Sequence, residues 1–484
     1  MSDEIKFGTD GWRAVIGESF TFANVRRVAS AIAVAARQAE APPAVDRNAI
    51  LVGFDRRFLS REFGATVAEV LAGSGYRVLL SDAPTPSQTV SFAVKKLGLL
   101  GGVVVTASHN PARYNGIKFK GWYGGSALPE MYRAIADKID EKNERGGGSV
   151  TEADILDDYI DGLRTQIDVG KIKASKIAIL HDPIHGVAAT IPSHVLKMDY
   201  LGSSRIKSRE SSVRVEALVD GIRGDVNPGF GGVNPEPIPE NLTASRDVMA
   251  TGAYDLAICN DGDADRLGIL DEKGEFVSPH KIISLLALYL VREKKASGEI
   301  VKTFSTTRLL ERIARSLGAQ LHETAIGFKY VADLMLTRSI LIGGEESGGI
   351  GFGSFLPERD GILSGLMVAE CVAHYGKPLS QIVAAMEEEF GELHYDRRDV
   401  HRPVDQCERL LHRLEGEKAG LMFGSDFSSR ETIDGVKLNY ADGSWILFRK
   451  SGTEPMIRIY CESPDERKVP RMLDRAVAEL DRVA

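Results

Sequence analysis

Short apolar runs alternate with stretches of helical periodicity along most of the chain. Residues 49–54, 76–80 and 101–106 are such runs and predict strands. Helical patterns accompany them: Phe22, Val25, Val28, Ile32 and Val34 share one apolar face, and Phe63, Val67 and Leu71 share another. The same alternation returns with predicted strands at 176–180, 213–219 and 254–260, and with a Gly/Pro-rich loop at 229–239. A third run begins near Lys273, with a helix over 281–294 and strands over 299–304 and 340–344. The last segment differs. It predicts a helix over 405–414, strands over 435–438, 445–449 and 456–461, and a final helix near 471–482 that starts at Pro470. Strands separated by helices build mixed sheets with helices packed on them. The pattern therefore predicts an α/β fold of three similar units with mixed sheets, followed by an α+β unit. The expected divisions are 1–152, 153–272, 273–378 and 379–484, with the glycines at 146–148 read as part of a linker.

Composition narrows the function classes. The 484 residues carry 60 basic and 68 acidic side chains, a net charge of −8, where a general nucleic-acid binder carries a basic face. Cys259, Cys371, Cys407 and Cys461 are far apart and form no C-x-x-C pair, which excludes a zinc ribbon and speaks against a disulfide scaffold. The longest apolar run, 282–291, is broken by Ser284 and Tyr289 and is far shorter than the roughly 20 residues a membrane-spanning helix needs. The opening M-S-D-E-I-K-F-G has no apolar signal core. A cytoplasmic monomer or homodimer with no membrane or nucleic-acid partner is expected.

Four segments carry chemistry. T-A-S-H-N-P at 106–111 follows an apolar strand, and strand ends are where α/β proteins place reactive groups. Ser108 is a candidate nucleophile beside His109, and Lys118 follows on the next extended segment, 116–120. Taken alone, the hexapeptide also suits a plain polar turn. No G-x-S-x-G elbow occurs, which argues against a triad esterase. In N-D-G-D-A-D-R at 260–266, Asp261, Asp263 and Asp265 alternate. Three carboxylates so close repel unless a cation joins them, and hard oxygen ligands suit Mg²⁺ or Ca²⁺. An EF-hand is excluded, because its sixth position must be Gly and is Arg266 here, although Glu272 fits the twelfth. Mg²⁺ is expected, and a solvated acidic hairpin is the alternative.

G-G-E-E-S-G-G at 343–349 offers carboxylates and a hydroxyl on a permissive backbone, which suits sugar hydroxyls and equally a flexible turn. R-K-S-G-T-E-P-M-I-R at 449–458 gathers two arginines, a lysine and two hydroxyls, the chemistry of phosphate binding. It is not a Walker A loop, since G-K-[ST] occurs nowhere. A nucleophile, a metal site, a hydroxyl reader and a phosphate clamp, one per segment, describe phosphoryl transfer to or from a polyol.

T-A-S-H-N-P, D-G-D-A-D-R, G-E-E-S-G and R-x-S-G-T-E-P, in this order, resemble the α-D-phosphohexomutases, as does the opening F-G-T-D-G-W-R-A at 7–14. The resemblance spans essentially the whole chain. It implies that Ser108 carries a phosphoryl group and that Asp261, Asp263 and Asp265 hold Mg²⁺ together with an oxygen on Ser108. It implies transfer between C1 and C6 of a hexose through a hexose 1,6-bisphosphate that serves as intermediate and activator. Lys118 and His109 match groups for proton transfer and charge stabilisation. Arg13 matches an arginine near the same phosphate, and Arg266, after the last aspartate, is expected to point at the site. Arg449, Ser451, Gly452, Thr453 and Arg458 match the clamp on the non-reacting phosphate. Glu345 and Ser347 match the residues that grip sugar hydroxyls, and Lys329 matches a substrate-contacting lysine. One bisphosphate must reach all of these loops, so the four units are expected around a central cleft, with the fourth hinging near 377–382. Glu346 and Gly349 lean toward glucose-type enzymes, with mannose or dual specificity as the alternative. A non-catalytic sugar-phosphate binder and a serine phosphatase are the rivals from other classes.

Overall fold

The computed structural model describes residues 5–8, 10–141, 146–201, 218–416, 427–451 and 455–483. They form four sheets. In the first, Phe7–Gly8, Gly11–Val15, Tyr114–Gly121, Leu99–Val105, Asp46–Phe54, Arg77–Ser81 and Ser149–Ala153 lie side by side in that order. In the second the order is Tyr200–Leu201, Leu218–Gly221, Ala178–Asp182, Leu256–Asn260, Leu267–Leu270 and Phe276–Val277. The third runs Leu321–Thr324, Glu299–Thr303, Ile340–Gly344 and Ile350–Phe352. Of the expected strand at 213–219, residues 213–217 lie outside the described residues, and the strand present is Leu218–Gly221.

One device recurs in all three of these sheets. A wholly buried strand, parallel to its neighbour on one side, turns at its C-terminal end into an antiparallel partner. Leu99–Val105 turns into Tyr114–Gly121, Leu256–Asn260 into Leu267–Leu270, and Ile340–Gly344 into Ile350–Phe352. Apolar residues on both strand faces drive that burial. The first three chemistry-bearing segments are these three connections. Their sequences share no motif, but their places in the fold are the same.

Three expectations about the joints are corrected. The glycines at 146–148 are docked: Gly146 N donates to Gly73 O at 2.8 Å and Gly148 N to Ala72 O at 3.0 Å, and a Cβ on Gly148 would lie 2.1 Å from Tyr76 O. They are small because backbone meets backbone there, and they lead into Ser149–Ala153, which closes the first sheet. The helix Leu379–Phe390, assigned to the fourth unit, buries Leu379, Ile382, Val383 and Met386 in an apolar core shared by the second and third units. Its apolar face keeps it there, so the expected hinge near 377–382 is inside a packed helix, and the chain turns away after it at Gly391, with φ 84°. The final helix begins at Lys468, ahead of Pro470, whose missing N–H falls in the first turn where no helical acceptor exists.

The helix Gly361–Tyr375 ties the second and third units together. Asp360 caps it by accepting from Leu363 N at 2.8 Å, and Gly376 closes it at φ 60°. Its Ile362, Leu363 and Leu366 share one apolar core with Ile258 and Leu267 of the second sheet. The segment just before it is fastened to the first two units. Glu358 accepts from Lys120 at 2.5 Å and from Ser126 at 2.7 Å, and Tyr159 donates to Asp360 at 2.9 Å.

The fourth sheet is antiparallel throughout, in the order His394–His401, Met456–Ser463, Trp445–Lys450, Val436–Tyr440 and Phe427–Glu431. Val404–Glu415 and Lys468–Arg482 pack on it around a separate core. Among the described residues no helix is long and apolar enough to cross a membrane.

Candidate functional site

The turn after Leu99–Val105 holds Ser108 at φ 52°, a left-handed conformation that costs a residue with a Cβ about 1 kcal/mol or more. Hydrogen bonds support it. Ser108 N donates to Thr106 Oγ1 at 2.9 Å, and Thr106 Oγ1 donates to Asp55 Oδ2 at 2.6 Å. Ser108 Oγ then donates to Asp261 Oδ2 at 2.7 Å, across from the first unit to the second. His109 Nδ1 lies 3.4 Å from the same Oγ.

Asp261, Asp263 and Asp265 are all fully buried, and each offers a carboxylate oxygen within 4.8 Å of the others. Asp263 Oδ1 and Asp265 Oδ1 have no hydrogen-bond partner. A buried carboxylate oxygen left unpaired costs a few kcal/mol, roughly 1–3 or more, so the arrangement suits a cation that would collect both. The donor set is all hard oxygen and fits a divalent ion of the Mg²⁺ or Ca²⁺ kind. Burial, with Asp265 and Asp263 close by, pushes the Asp261 carboxyl well above the usual carboxylate range. Burial acts the same way on Asp263, but Lys118 and a 2.6 Å bond from Ser87 hold it below that range.

Cations from three units surround the acidic loop. Lys118 Nζ lies 2.8 Å from Asp263, 2.9 Å from Asp265 and 3.0 Å from Asp10. Burial alone would lower the Lys118 pKa. The three carboxylates outweigh it and keep the ammonium charged above the ordinary lysine range. Arg359 joins the loops of three units, reaching Asp10 and Asp265 at 2.7 Å each and Glu345 at 3.4 Å. Arg13 donates to Asn110 Oδ1 at 2.7 Å, and Arg266 to Glu236 at 2.9 Å. Arg266 Nη2 also lies 3.4 Å from His109 Nε2. Burial, reinforced by Arg266, Arg13, Lys118 and Arg359, pushes His109 well below the usual imidazole range, which keeps the ring neutral.

The third connection folds on itself: Glu345 N donates to Gly349 O at 2.9 Å, and a Cβ on Gly348, at φ 87°, would lie 2.3 Å from Leu267 O of the second sheet. Burial raises the Glu345 carboxyl against the pull of Arg359. Glu346 pairs with Arg397 of the fourth unit at 3.1 Å, and Ser347 is half-buried beside it. Lys329 is one residue into the helix Phe328–Thr337 and feels the charges of Asp10 and Arg449, though burial is what lowers its pKa most.

In the fourth unit, Arg449 and Arg458 are direct cross-strand partners. Like charges facing each other on a sheet destabilise it, and each arginine has a carboxylate: Asp434 at 3.0 Å from Arg449 and Asp399 at 3.7 Å from Arg458. Ser451 N donates to Met456 O at 2.9 Å. Gly452 and Thr453 lie outside the described residues.

The fold thus gathers Ser108, His109, Lys118, Arg13, Arg266 and the three aspartates at one place, with Glu345 attached through Arg359. Arg449 and Arg458 form a second cluster, with Lys329 between the two. Sequence reading missed Asp10, Asp55, Arg57, Ser87, Glu236, Arg359 and Asp434. Asp10 was within reach, because it sits in the quoted F-G-T-D-G-W-R-A. Arg359, in P-E-R-D-G ahead of an apolar helix, gives no local signal of what it touches.

Models of four consecutive domains match the chain in order. They are phosphoglucomutase/phosphomannomutase alpha/beta/alpha domain I over residues 4–146, domain II over 157–274, domain III over 278–390, and the C-terminal domain over 397–479. A phosphoglucomutase/phosphomannomutase of Thermococcus kodakarensis is 30% identical over 483 residues, covering 98% of each chain. A phosphoglucosamine/phosphogalactosamine mutase of Sulfurisphaera tokodaii is 30% identical over 469 residues, covering 95% of each. Among solved structures, a "putative phosphomannomutase" from Thermus thermophilus superposes with a TM-score of 0.84 at 34% identity, over 99% of this chain and 100% of that one. With the four domains in order and relatives matched end to end, the chain belongs to the α-D-phosphohexomutase family and is a mutase, an intramolecular phosphotransferase.

Proposed function

We propose that the protein interconverts glucose 1-phosphate and glucose 6-phosphate through a phosphoryl group carried on Ser108. The observation that carries this reading is the contact of Ser108 Oγ with Asp261, 2.7 Å, at the edge of a buried aspartate cluster with two unpartnered oxygens. In the first half-reaction the Oγ–P bond of phosphorylated Ser108 breaks and a bond forms from phosphorus to the free hydroxyl oxygen of the hexose monophosphate. The hydroxyl proton passes to a nitrogen base, for which the neutral His109 ring is the candidate, while the Lys118 ammonium stabilises the developing charge. The resulting 1,6-bisphosphate turns over, and the second half-reaction returns its other phosphoryl group to Ser108. Asp261, Asp263 and Asp265, with an oxygen on Ser108, would hold Mg²⁺, which supplies Lewis-acid polarisation of the phosphoryl oxygens. Such a loose transition state depends on positioning and charge neutralisation, which Lys118, Arg13 and Arg266 offer.

Arg449 and Arg458, with Ser451, Gly452 and Thr453, clamp the phosphate that is not reacting. Their facing positions support this, because an anion between them relieves the repulsion. Glu345 and Ser347 hold the sugar hydroxyls, and Lys329 reaches the bound sugar phosphate. A reducing cytoplasm is part of the proposal, and four free, buried cysteines suit it.

Glucose is preferred over a 2-amino sugar on one ground. The third loop carries Glu346 and Gly349, which lean toward the glucose-type enzymes of the family. The second reading, glucosamine 1-/6-phosphate, is supported by relatives of that name at the same identity as those named for glucose and mannose. Mannose is the third. Comparing kcat/KM for the 1-phosphates of glucose, mannose and glucosamine, each with a trace of its bisphosphate, tests the reading. Glucose should lead, and a lead for glucosamine overturns the choice of sugar while leaving the mutase chemistry.

A further inference from the structure

Behind the Ser108 turn stands a side chain that the chemistry above does not use. Arg57 follows the strand Asp46–Phe54 and is 3% exposed. Its Nη2 donates to the carbonyl oxygens of Ser108 and Asn110 at 2.6 Å each, and its Nη1 to those of Pro111 at 2.9 Å and Tyr114 at 3.1 Å. Asp55 pairs with its Nε at 3.2 Å, and the same carboxylate takes the Thr106 hydroxyl that supports Ser108 N. The ring of Phe230, from the second unit, covers the guanidinium with its centroid 4.8 Å away. Gly262 of the acidic loop packs against the same spot, where a Cβ would lie 2.6 Å from Ser108 O and 3.6 Å from Arg57 Nη2.

Four carbonyls converge on this one side chain, and the buried one, Ser108 O, would be a stranded acceptor without it. A planar guanidinium has five donors in a fixed fork and can serve all four, whereas an ammonium has three donors and no plane. One of the four carbonyls is that of Ser108, the residue in the left-handed conformation. Holding that oxygen fixes the peptide plane on which the direction of Oγ depends.

We infer that Arg57 is a positioning residue for Ser108: it locks the left-handed turn that aims Oγ at Asp261, while Phe230 and Gly262 register that turn against the acidic loop. Arg57 touches no reacting atom. The inference rests on the reading of Ser108 as the phosphoryl carrier. Misplacing a reacting group by about 1 Å costs on the order of 10²-fold in rate, which sets the expected effect.

The test uses the full chain with Mg²⁺ and glucose 1,6-bisphosphate, following the rate at which Ser108 gains a phosphoryl group by mass spectrometry, alongside kcat and KM. Wild type comes first. If Ser108 takes no label there, the reading of Ser108 falls and this inference with it. With wild type labelled, Arg57→Lys should slow both labelling and kcat by on the order of 10²-fold and leave KM within about threefold, because turn geometry and not binding is lost. In Arg57→Ala, guanidinium ion at low millimolar concentration should restore at least about tenfold of the lost kcat. At that concentration guanidinium changes global stability negligibly, so a mere folding defect would not be rescued by it. If Arg57→Ala does not fold, the kcat and KM of Arg57→Lys decide. Labelling of Arg57→Lys at the wild-type rate, a loss carried by KM, or a folded Arg57→Ala that guanidinium does not restore overturns the inference.

Discussion

The clusters around Ser108 and around Arg449 are both built from paired charges, but they are held differently. Around Ser108 the pairs are buried: Lys118 is 1% exposed, and Asp263 and Asp265 are 0% exposed. They cross unit boundaries at 2.7–2.9 Å, so the first, second and third units are locked together at the aspartates. Around Arg449 the pairs are less buried: Arg449 is 15% exposed, Arg397 and Arg458 are each 34% exposed, and the link to the third loop is the Glu346–Arg397 pair. Buried pairs resist loss of one partner by several kcal/mol, about 3–5, whereas exposed pairs contribute about 0–1 kcal/mol. On the proposed reading, the fixed geometry serves the chemical step and the less buried, adjustable pairs grip the second phosphate.

Breaking the fixed cluster should cost the most. Ser108→Ala removes the nucleophilic route and should lower turnover at least about 10³-fold, measured from glucose 1-phosphate with a trace of bisphosphate. Near-normal turnover in that variant rejects Ser108 as the carrier. Next, chelation by EDTA should abolish turnover and added Mg²⁺ restore it. Asp263→Asn, which exchanges a hard anion for a neutral carbonyl, should raise the Mg²⁺ half-saturation concentration by roughly tenfold or more. Unchanged turnover under EDTA would make the aspartate cluster a purely structural one.

Breaking the adjustable cluster should act on binding. Arg449→Ala loses a charge-assisted fork, about 1.5–3 kcal/mol, and should raise KM roughly ten- to a hundredfold from glucose 1-phosphate and from glucose 6-phosphate alike. A rise in only one direction would mean that the loop does not serve both half-reactions. The smallest effect belongs to the Glu346–Arg397 pair, one of several contacts between the third and fourth units: Glu346→Gln should shift KM by no more than about fivefold and leave kcat nearly unchanged. A collapse of kcat in that variant would erase the distinction between the two clusters.

The sequence made the adjustable cluster nearly as visible as the fixed one, and for a common reason. Ser108, Asp261, Glu345 and Arg449 sit at or beside the ends of apolar strands, and an apolar run followed by a polar, glycine-containing turn is a local signal. The residues that join the loops were not legible. Asp10 and Arg359 are hundreds of positions apart and meet at 2.7 Å only because two sheets pack together. The left-handed Ser108 has no local signature either, since its conformation is held by Asp55 and Arg57 on another strand's end. Periodicity likewise could not tell which unit a helix would serve. Gly361–Tyr375 and Leu379–Phe390 are apolar enough to join any core, and both join that of the second and third units.

The claim beneath this account is that Ser108 is the group through which phosphoryl passes. Its most direct test is to incubate the protein with Mg²⁺ and glucose 1,6-bisphosphate, map the modified peptide by mass spectrometry, and then add glucose 1-phosphate. The account predicts one added group of about 80 Da on Ser108, lost to the sugar on the second addition. A protein that turns over substrate with no such group on Ser108, or with the group on another residue, contradicts it.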